Sequence, residues 1–538
     1  MKKSARSTLI AAIFASGIIF LDSSIVKIAL PAIDARLDAG LAGLQWIVNA
    51  YVLALASLLL LGGALGDRYG RRRMMIVGLI GFGAASIACG LAPSTAWLIA
   101  ARAGQGAAGA LVRPGSLALL RANFGEGEAR GTAIGRWAGW AGVATLIGPV
   151  LGGWLVGGFS WRWIFFVNLP PVALTIWMLA KYVPESQAPP EKARAVDWPG
   201  TLLATCGLAG LTYGLIEGPL SGWGGAGVLT GLIGGVLALA AFIFIESRAT
   251  APMLPLHLFR SRNFSIANVS ILGVYFAVYG TTFFLVIYLQ NVMGYSALQA
   301  GLVLVPIALL MIVFSPVFGR LAARTGPRLW ISLGPLAMAL GLILFARLQP
   351  HSNFYTHLLP AVLVFGLGKA STIAPLNDTV LSTVPDRYAG VASAVANAVS
   401  RAGVLLAVAL LGGIVATTYR RSLAQRTAGM ALSAGQVRAL EASASDLTGT
   451  LDVSAFPPRV GRAINQAYTQ ALHRAMTASA AVAAAGGLAA ALWIRNPARC
   501  VEQQARTAQR EAPPALPAGR RTNRLPRSRC PKEETEYS

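Results

Sequence analysis

Apolar runs of eighteen or more residues recur along most of this chain, and no other feature restricts its fold as much. A run of about 20 apolar residues is the length of helix that crosses a bilayer. Lipid offers backbone N–H and C=O groups no partners, so a spanning segment must be a helix or part of a closed barrel. These runs are too long for barrel strands. They predict an all-α polytopic membrane protein with fourteen spans, near 7–31, 44–65, 74–92, 96–119, 133–157, 163–183, 198–217, 225–246, 265–290, 299–320, 328–347, 357–381, 388–417 and 469–494. Composition agrees: 55% of residues are hydrophobic and only 12% charged, where a soluble protein carries about 25% charged. The opening Met1-Lys2-Lys3 before an apolar run looks like a secretory leader. That run continues through Asp22 towards Pro31 and is one of many, so it is read as an uncleaved first span.

A net charge of +24 would suggest nucleic-acid binding in a soluble chain. Its distribution here indicates topology instead. The amino terminus and the short loops leading from even to odd spans are rich in Lys and Arg, whereas the opposite short loops hold only Arg36, Arg162 and Arg347. By the positive-inside rule both termini are cytoplasmic, in the inner membrane of a bacterium, with the lipid bilayer and not nucleic acid as partner. The tail, 496–538, is basic, Pro-rich and expected to be disordered. An outer loop, 418–468, separates the last two spans, and its Ser433–Leu447 segment has helix-forming composition.

Cys89, Cys206, Cys500 and Cys530 show no framework spacing, and the four histidines are scattered, so neither a disulfide scaffold nor a metal site is indicated. Gly366-Leu367-Gly368-Lys369-Ala370 lacks the earlier glycine and following hydroxyl of a phosphate loop. The chain is therefore expected to need no cofactor and to be no enzyme, and any work it does must draw on an ion gradient.

The turn between the second and third spans, Gly63-Ala64-Leu65-Gly66-Asp67-Arg68-Tyr69-Gly70-Arg71-Arg72-Arg73, packs one carboxylate and four arginines between glycines. Glycine lets the helix ends approach, and Asp67 can pair with a neighbouring arginine or a helix terminus. A weaker echo, Gly319-Arg320-Leu321-Ala322-Ala323-Arg324-Thr325-Gly326, follows the tenth span, and Pro114 and Pro375 occupy similar places in spans 4 and 12. The echo divides the chain into a six-helix bundle (1–183), a two-helix insert (184–255), a second six-helix bundle (256–495) and the tail. Parallel repeats of this kind belong to transporters, with the cargo site between the halves.

Within the spans, Asp22 is a carboxylate in a place where a charge costs about 2.5–3.5 kcal/mol, which makes it a functional candidate. Arg102 and Arg113 lie eleven residues apart on span 4, so both point the same way about 16 Å apart. Gln105 lies near that face, which must line the interior. Gly148-Pro149 would bend span 5, and Gly152-Gly153 would let it pack tightly, as a hinge or a seal against span 2 or the other half. Lys27 is expected to snorkel at the outer end of span 1. Lys369, in span 12, is expected to face Arg113 across the cavity, while Arg401 of span 13 must face protein or water. Tyr275, Tyr279 and Phe283 form an i, i+4, i+8 stripe on span 9.

These motifs carry a resemblance. Gly63, Asp67, Arg68, Gly70, Arg71 and Arg72 match the loop signature of the major facilitator superfamily. Arg102-x-x-Gln105-Gly106 resembles its span 4 motif, and Gly148-Pro149-Val150-Leu151-Gly152-Gly153 its antiporter motif. Leu21-Asp22 through Pro31, Ser160 to Phe165, Asn168-Leu169-Pro170 and Leu289 to Ser296 are similar to the fourteen-span drug:proton antiporters of the QacA/EmrB type. That resemblance implies a rocker fold of two six-helix bundles plus two inserted spans, with spans 1, 4, 9 and 12 lining the cavity. It also implies proton-coupled export of drugs or other small organic molecules. Asp22 and Arg102 would couple the proton, the loop residues would gate, and Gln105, Arg113, Tyr275, Tyr279 and Lys369 would meet cargo. It leaves room for a periplasmic adaptor and an outer-membrane channel as partners. The rival readings are a dedicated exporter of one cell-made metabolite, anionic ones included, and a transporter-like membrane sensor.

Overall fold

The computed structural model describes residues 3–124, 128–187, 197–249, 256–384, 389–428, 430, 435–436, 440 and 457–496. The chain divides into one compact unit, Met1–Arg495, and a second, Asn496–Ser538. The expected disorder of the tail falls outside the described residues, as does the Ser433–Leu447 helix apart from Gly435, Gln436 and Leu440.

Almost everything described is helix. In chain order the helices are α1 (Lys3–Leu37), α2 (Gly40–Tyr69), α3 (Arg71–Gly90), α4 (Thr95–Asn123), α5 (Glu128–Gly158), the single turn α6 (Trp163–Phe166) and α7 (Leu169–Tyr182). There follow α8 (Trp198–Ser221), α9 (Ala226–Arg248), α10 (Arg262–Asn291), α11 (Ala297–Thr325), α12 (Pro327–Phe345), α13 (Leu359–Ser382), α14 (Ala389–Thr427) and α15 (Pro458–Trp493). Among the described residues 13 helices are long and apolar enough to cross a membrane, with α6 and α7 forming one span. The expected fourth span, α4, is long enough at 29 residues but carries three arginines and is not among these thirteen. The last two spans outrun their apolar runs, so α14 and α15 carry helix into both ends of the expected outer loop.

Local chemistry sets where these helices begin. Ser94 accepts from the Trp97 N–H to start α4, Asp197 from Gly200 to start α8, and Ser261 from Phe264 to start α10. Ser296 and Gln299 form a capping box at α11, satisfying two N–H groups that the helix leaves free.

Two six-helix bundles result. In the first, α2 and α3 pack on α4, while α1 packs on α5 and α7; in the second, α10, α12 and α14 pack on α15, and α13 packs on α11 and α12. The pair α8–α9 forms a hairpin beside α2 and α14. Burial separates centre from periphery: 78% of the apolar window of α10 is buried against 11% for α9. The repeat seen in the sequence has a backbone counterpart. Gly70 (φ 108°) and Gly326 (φ 92°) each close one helix, donating to Gly66 O and Ala322 O, and open the next. A left-handed φ of this kind suits glycine and few other residues.

The bundles meet mainly along α5–α11 and α2–α14, with α1–α10 between them. The polar and close contacts of this seam gather at the end away from the amino terminus. Gln290 donates to Ile28 O at 3.0 Å, Gln45 donates to Val408 O, and Gly301 lies against the Pro149 carbonyl. Towards the other end, the polar link among the described residues is Arg113 Nη2 to Asn397 Oδ1, 3.2 Å.

Candidate functional site

Asp22 sits midway along α1 and is fully buried, with Arg102 of α4 only 2% exposed beside it. Arg102 Nη1 donates to Asp22 Oδ2 at 2.6 Å and to Gln105 Oε1 at 2.5 Å, while its Nε donates to Ile47 O at 3.2 Å. Gln105 and Asn168 donate to the other carboxylate oxygen, at 2.9 and 3.1 Å. Gln105 also donates to Ser86 at 2.8 Å. The Tyr51 ring lies 4.2 Å from the guanidinium carbon, adding a cation–π contact. The expected partnership of Asp22 and Arg102 is therefore a dry, bonded ion pair, in which removing either partner strands the other's charge.

Next to this pair, between the bundles, lies a cavity of about 10 Å³, room for about one water molecule, so cargo can enter it only after the bundles move apart. Ser23 and Lys27 of α1, Tyr51 of α2, Arg102 of α4, Tyr279 of α10 and Arg401 of α14 line it. Arg102 therefore has one side on the acid and another on the cavity. Of the spans expected to form the wall, 1, 4 and 9 do so; span 2 and span 13 join them, and span 12 contributes no residue to this lining.

Four placements differ from the sequence reading. Lys27 does not snorkel: it is 9% exposed, donates to Thr282 Oγ1 at 3.0 Å and stands 3.9 Å over the Tyr279 ring. Its turn of α1 faces α10 rather than the lipid edge. Gln105 is no cargo contact, because both ends of its amide are committed around Asp22. Arg113 does not meet Lys369. It reaches Asn397 and lies 5.5 Å over Phe20, whereas Lys369 adds its charge to the field at Lys27. Finally, of the two packings expected for the α5 glycines the one on the other bundle is present, through Gly153, while Gly148 and Gly152 pack on span 1 where span 2 was expected. A Cβ on Gly148 would enter Ser24, one on Gly152 would lie 2.7 Å from Ile25 Cγ1, and one on Gly153 would lie 2.5 Å from Leu298 Cα.

Tyr275 and Tyr279 stack with centroids 6.2 Å apart and planes 15° from parallel. Phe283 is wholly buried against Phe284 and belongs to the packing.

The loop residues form their own cluster. Asp67 pairs with Arg71 one turn away, Nε at 3.0 Å and Nη2 at 2.8 Å. Glu185, just past α7, accepts from the backbone N–H of Arg72 and of Arg73 at 2.9 and 3.2 Å, capping the positive end of α3. Arg72 also donates to Val183 O at 3.0 Å. Arg68 lies over Tyr69 on the exposed side.

Sequence reasoning missed Asn168, Thr282, Asn397 and Glu185 as partners. Asn168 was visible as part of Asn168-Leu169-Pro170, but an amide has no charge to betray a buried role. Glu185 was a lone acid after a span, with nothing local to tie it to a loop 113 residues earlier.

Comparison with known proteins agrees with this geometry. Residues 12–408 match the family profile described as Major Facilitator Superfamily. The chain is similar to Multidrug resistance protein Stp of Mycobacterium tuberculosis (strain CDC 1551 / Oshkosh), at 38% identity over 423 residues, covering 79% of this chain and 78% of the relative. It is also similar to the Tetracenomycin C resistance and export protein of Streptomyces glaucescens, at 36% identity over 524 residues and 95% of both chains. Its fold is like that of a bacterial homologue of the human lysosomal transporter Spinster, crystallised inward-facing and unoccupied, with TM-score 0.65, 17% identity, and coverage of 91% of this chain and 97% of that one.

Proposed function

Because this chain belongs to the Major Facilitator Superfamily, we propose that it is a proton-coupled antiporter that exports drugs or similar small organic molecules. It does so across the bacterial cytoplasmic membrane, with both termini in the cytoplasm. The relatives named for multidrug resistance and for tetracenomycin C resistance and export support the efflux reading. The observation that carries the mechanism is the double exposure of Arg102, which is ion-paired to Asp22 on one side and lines the central cavity on the other.

The cycle works through Arg102, because Asp22 is fully buried and Arg102 touches both it and the cavity. Arg102 relays. A proton on Asp22 removes the charge that holds the guanidinium and frees it to act on the cavity. Loss of that proton draws it back. Cargo enters from the end where the bundles meet least, towards the amino terminus. The seam of α5 on α11 then parts while the opposite end closes, the Asp67–Arg71 and Glu185 cluster setting the resting position of α2 and α3. The gradient supplies the work, so no cofactor enters the scheme.

The test uses proteoliposomes and ethidium under an imposed pH difference. Wild-type protein moves the dye and Asp22→Asn stops that movement. Full pH-driven transport by Asp22→Asn would remove the assigned coupling role. A susceptibility panel on a deletion strain tests breadth, with sensitivity to several unrelated drugs as the expected result.

A further inference from the structure

We propose that Lys27 and Arg401 form an anion-binding site in the cavity between the bundles, which takes the carboxylate or sulfonate group of the cargo. This deepens the exporter reading by naming a substrate class and rests on it. Both residues line one cavity, from opposite bundles, and each is at least nine-tenths buried. Among the described residues the ion pairs are Asp67–Arg71, Glu185 with Arg72 and Arg73, and Asp22–Arg102. None serves Lys27 or Arg401.

Burying a charge without a partner is strongly unfavourable, and ionisable groups kept inside a membrane protein at that cost mark its function. Lys27 has three N–H donors and one hydroxyl acceptor, Thr282. The Nε of Arg401 is buried with no hydrogen-bond partner. Two like charges facing one cavity repel each other. The nearest acid cannot relieve this, because Asp22 is already bound by Arg102, Gln105 and Asn168. A single anion placed between Lys27 and Arg401 answers every one of these demands. The guanidinium fork suits a planar, bidentate carboxylate, and the ammonium adds a point charge. Tyr279 lies directly under Lys27 and stacks on Tyr275. The ammonium is thus held at the cavity by a cation–π contact as well as by Thr282.

The full-length protein in lipid nanodiscs is titrated with three probes on one skeleton: 2-naphthoate, 2-naphthylmethylammonium and 2-naphthalenemethanol. Naphthoate is expected to bind at least about tenfold more tightly than either of the others. Arg401→Gln and Lys27→Gln each weaken naphthoate by about tenfold and change the alcohol by less than about twofold. Arg401→Lys and Lys27→Arg, which keep the charge, recover most of the loss. Equal affinity for naphthoate and the ammonium overturns the proposal, as does an equal loss for all three probes in the Gln variants, which would mean a structural role. Ethidium efflux is measured beside it. Intact efflux without naphthoate preference sinks the anion site alone; naphthoate preference without transport of any probe upholds the site and sinks the exporter reading.

Discussion

Pro149 of α5 and Gly301 of α11 hold one end of the molecule shut, the Gly301 Cα resting against the Pro149 carbonyl with no space for a side chain between them. The two residues come from different bundles, and the contact lies one turn from Gly153, which sits as closely on Ala297 and Leu298. In the proposed cycle this seam opens to discharge cargo and closes again.

Gly301→Ala should therefore hold the seam apart. Ethidium efflux is expected to fall by about tenfold or more, since a single added methyl in a packed interface already forces backbone shifts of about 1–3 kcal/mol. Gly104→Ala, with nothing within 4 Å of its added Cβ, is the control and should transport normally. Normal efflux by Gly301→Ala, with an unchanged melting temperature, would show that the seam is not required to close.

Asp22→Asn and Arg102→Gln each leave one buried group without its charge partner. Each should lose about 3–5 kcal/mol of stability, the usual cost of breaking such a pair. The double variant should lose less than the sum, because residues in one network couple by about 0.5–3 kcal/mol. Thermal unfolding of the four purified proteins reads the cycle. Additive losses would mean that the 2.6 Å contact contributes no specific coupling.

At the loop, Gly70→Ala should destabilise more than Glu185→Gln. Alanine at φ 108° is strained, and its Cβ would lie 2.8 Å from the Glu185 carboxylate carbon, so a loss above about 1 kcal/mol is expected. Glutamine keeps an acceptor for the Arg72 and Arg73 N–H groups. It gives up only partly exposed ion pairs, Glu185 being 23% accessible, each contributing under about 1 kcal/mol. The reverse order of melting temperatures would contradict this account.

The fold was legible because lipid reduces the choice to helices whose length is visible as apolar runs. The repeat was legible because two glycines at equivalent turns need the same backbone. Asp22 and Arg102 could be singled out one by one, since a charge inside an apolar run stands out. Their mutual geometry was legible only through resemblance. What escaped was pairing across distance: Lys27 with Thr282, 255 residues apart, and Arg113 with Asn397, 284 apart. Periodicity gives the face of a helix but not the neighbour that covers it. Arg113 could thus be assigned to the interior while its partner Asn397 stayed hidden.

The α8–α9 hairpin leans on α2 from one bundle and on α14 from the other, with Arg420 of α14 bonded to the Pro219 carbonyl and a Cβ on Gly413 lying 3.1 Å from the Pro219 ring. A strap fastened to both leaves of a hinge cannot ignore their swing. In the proposed cycle it must slip on one attachment or travel with one leaf.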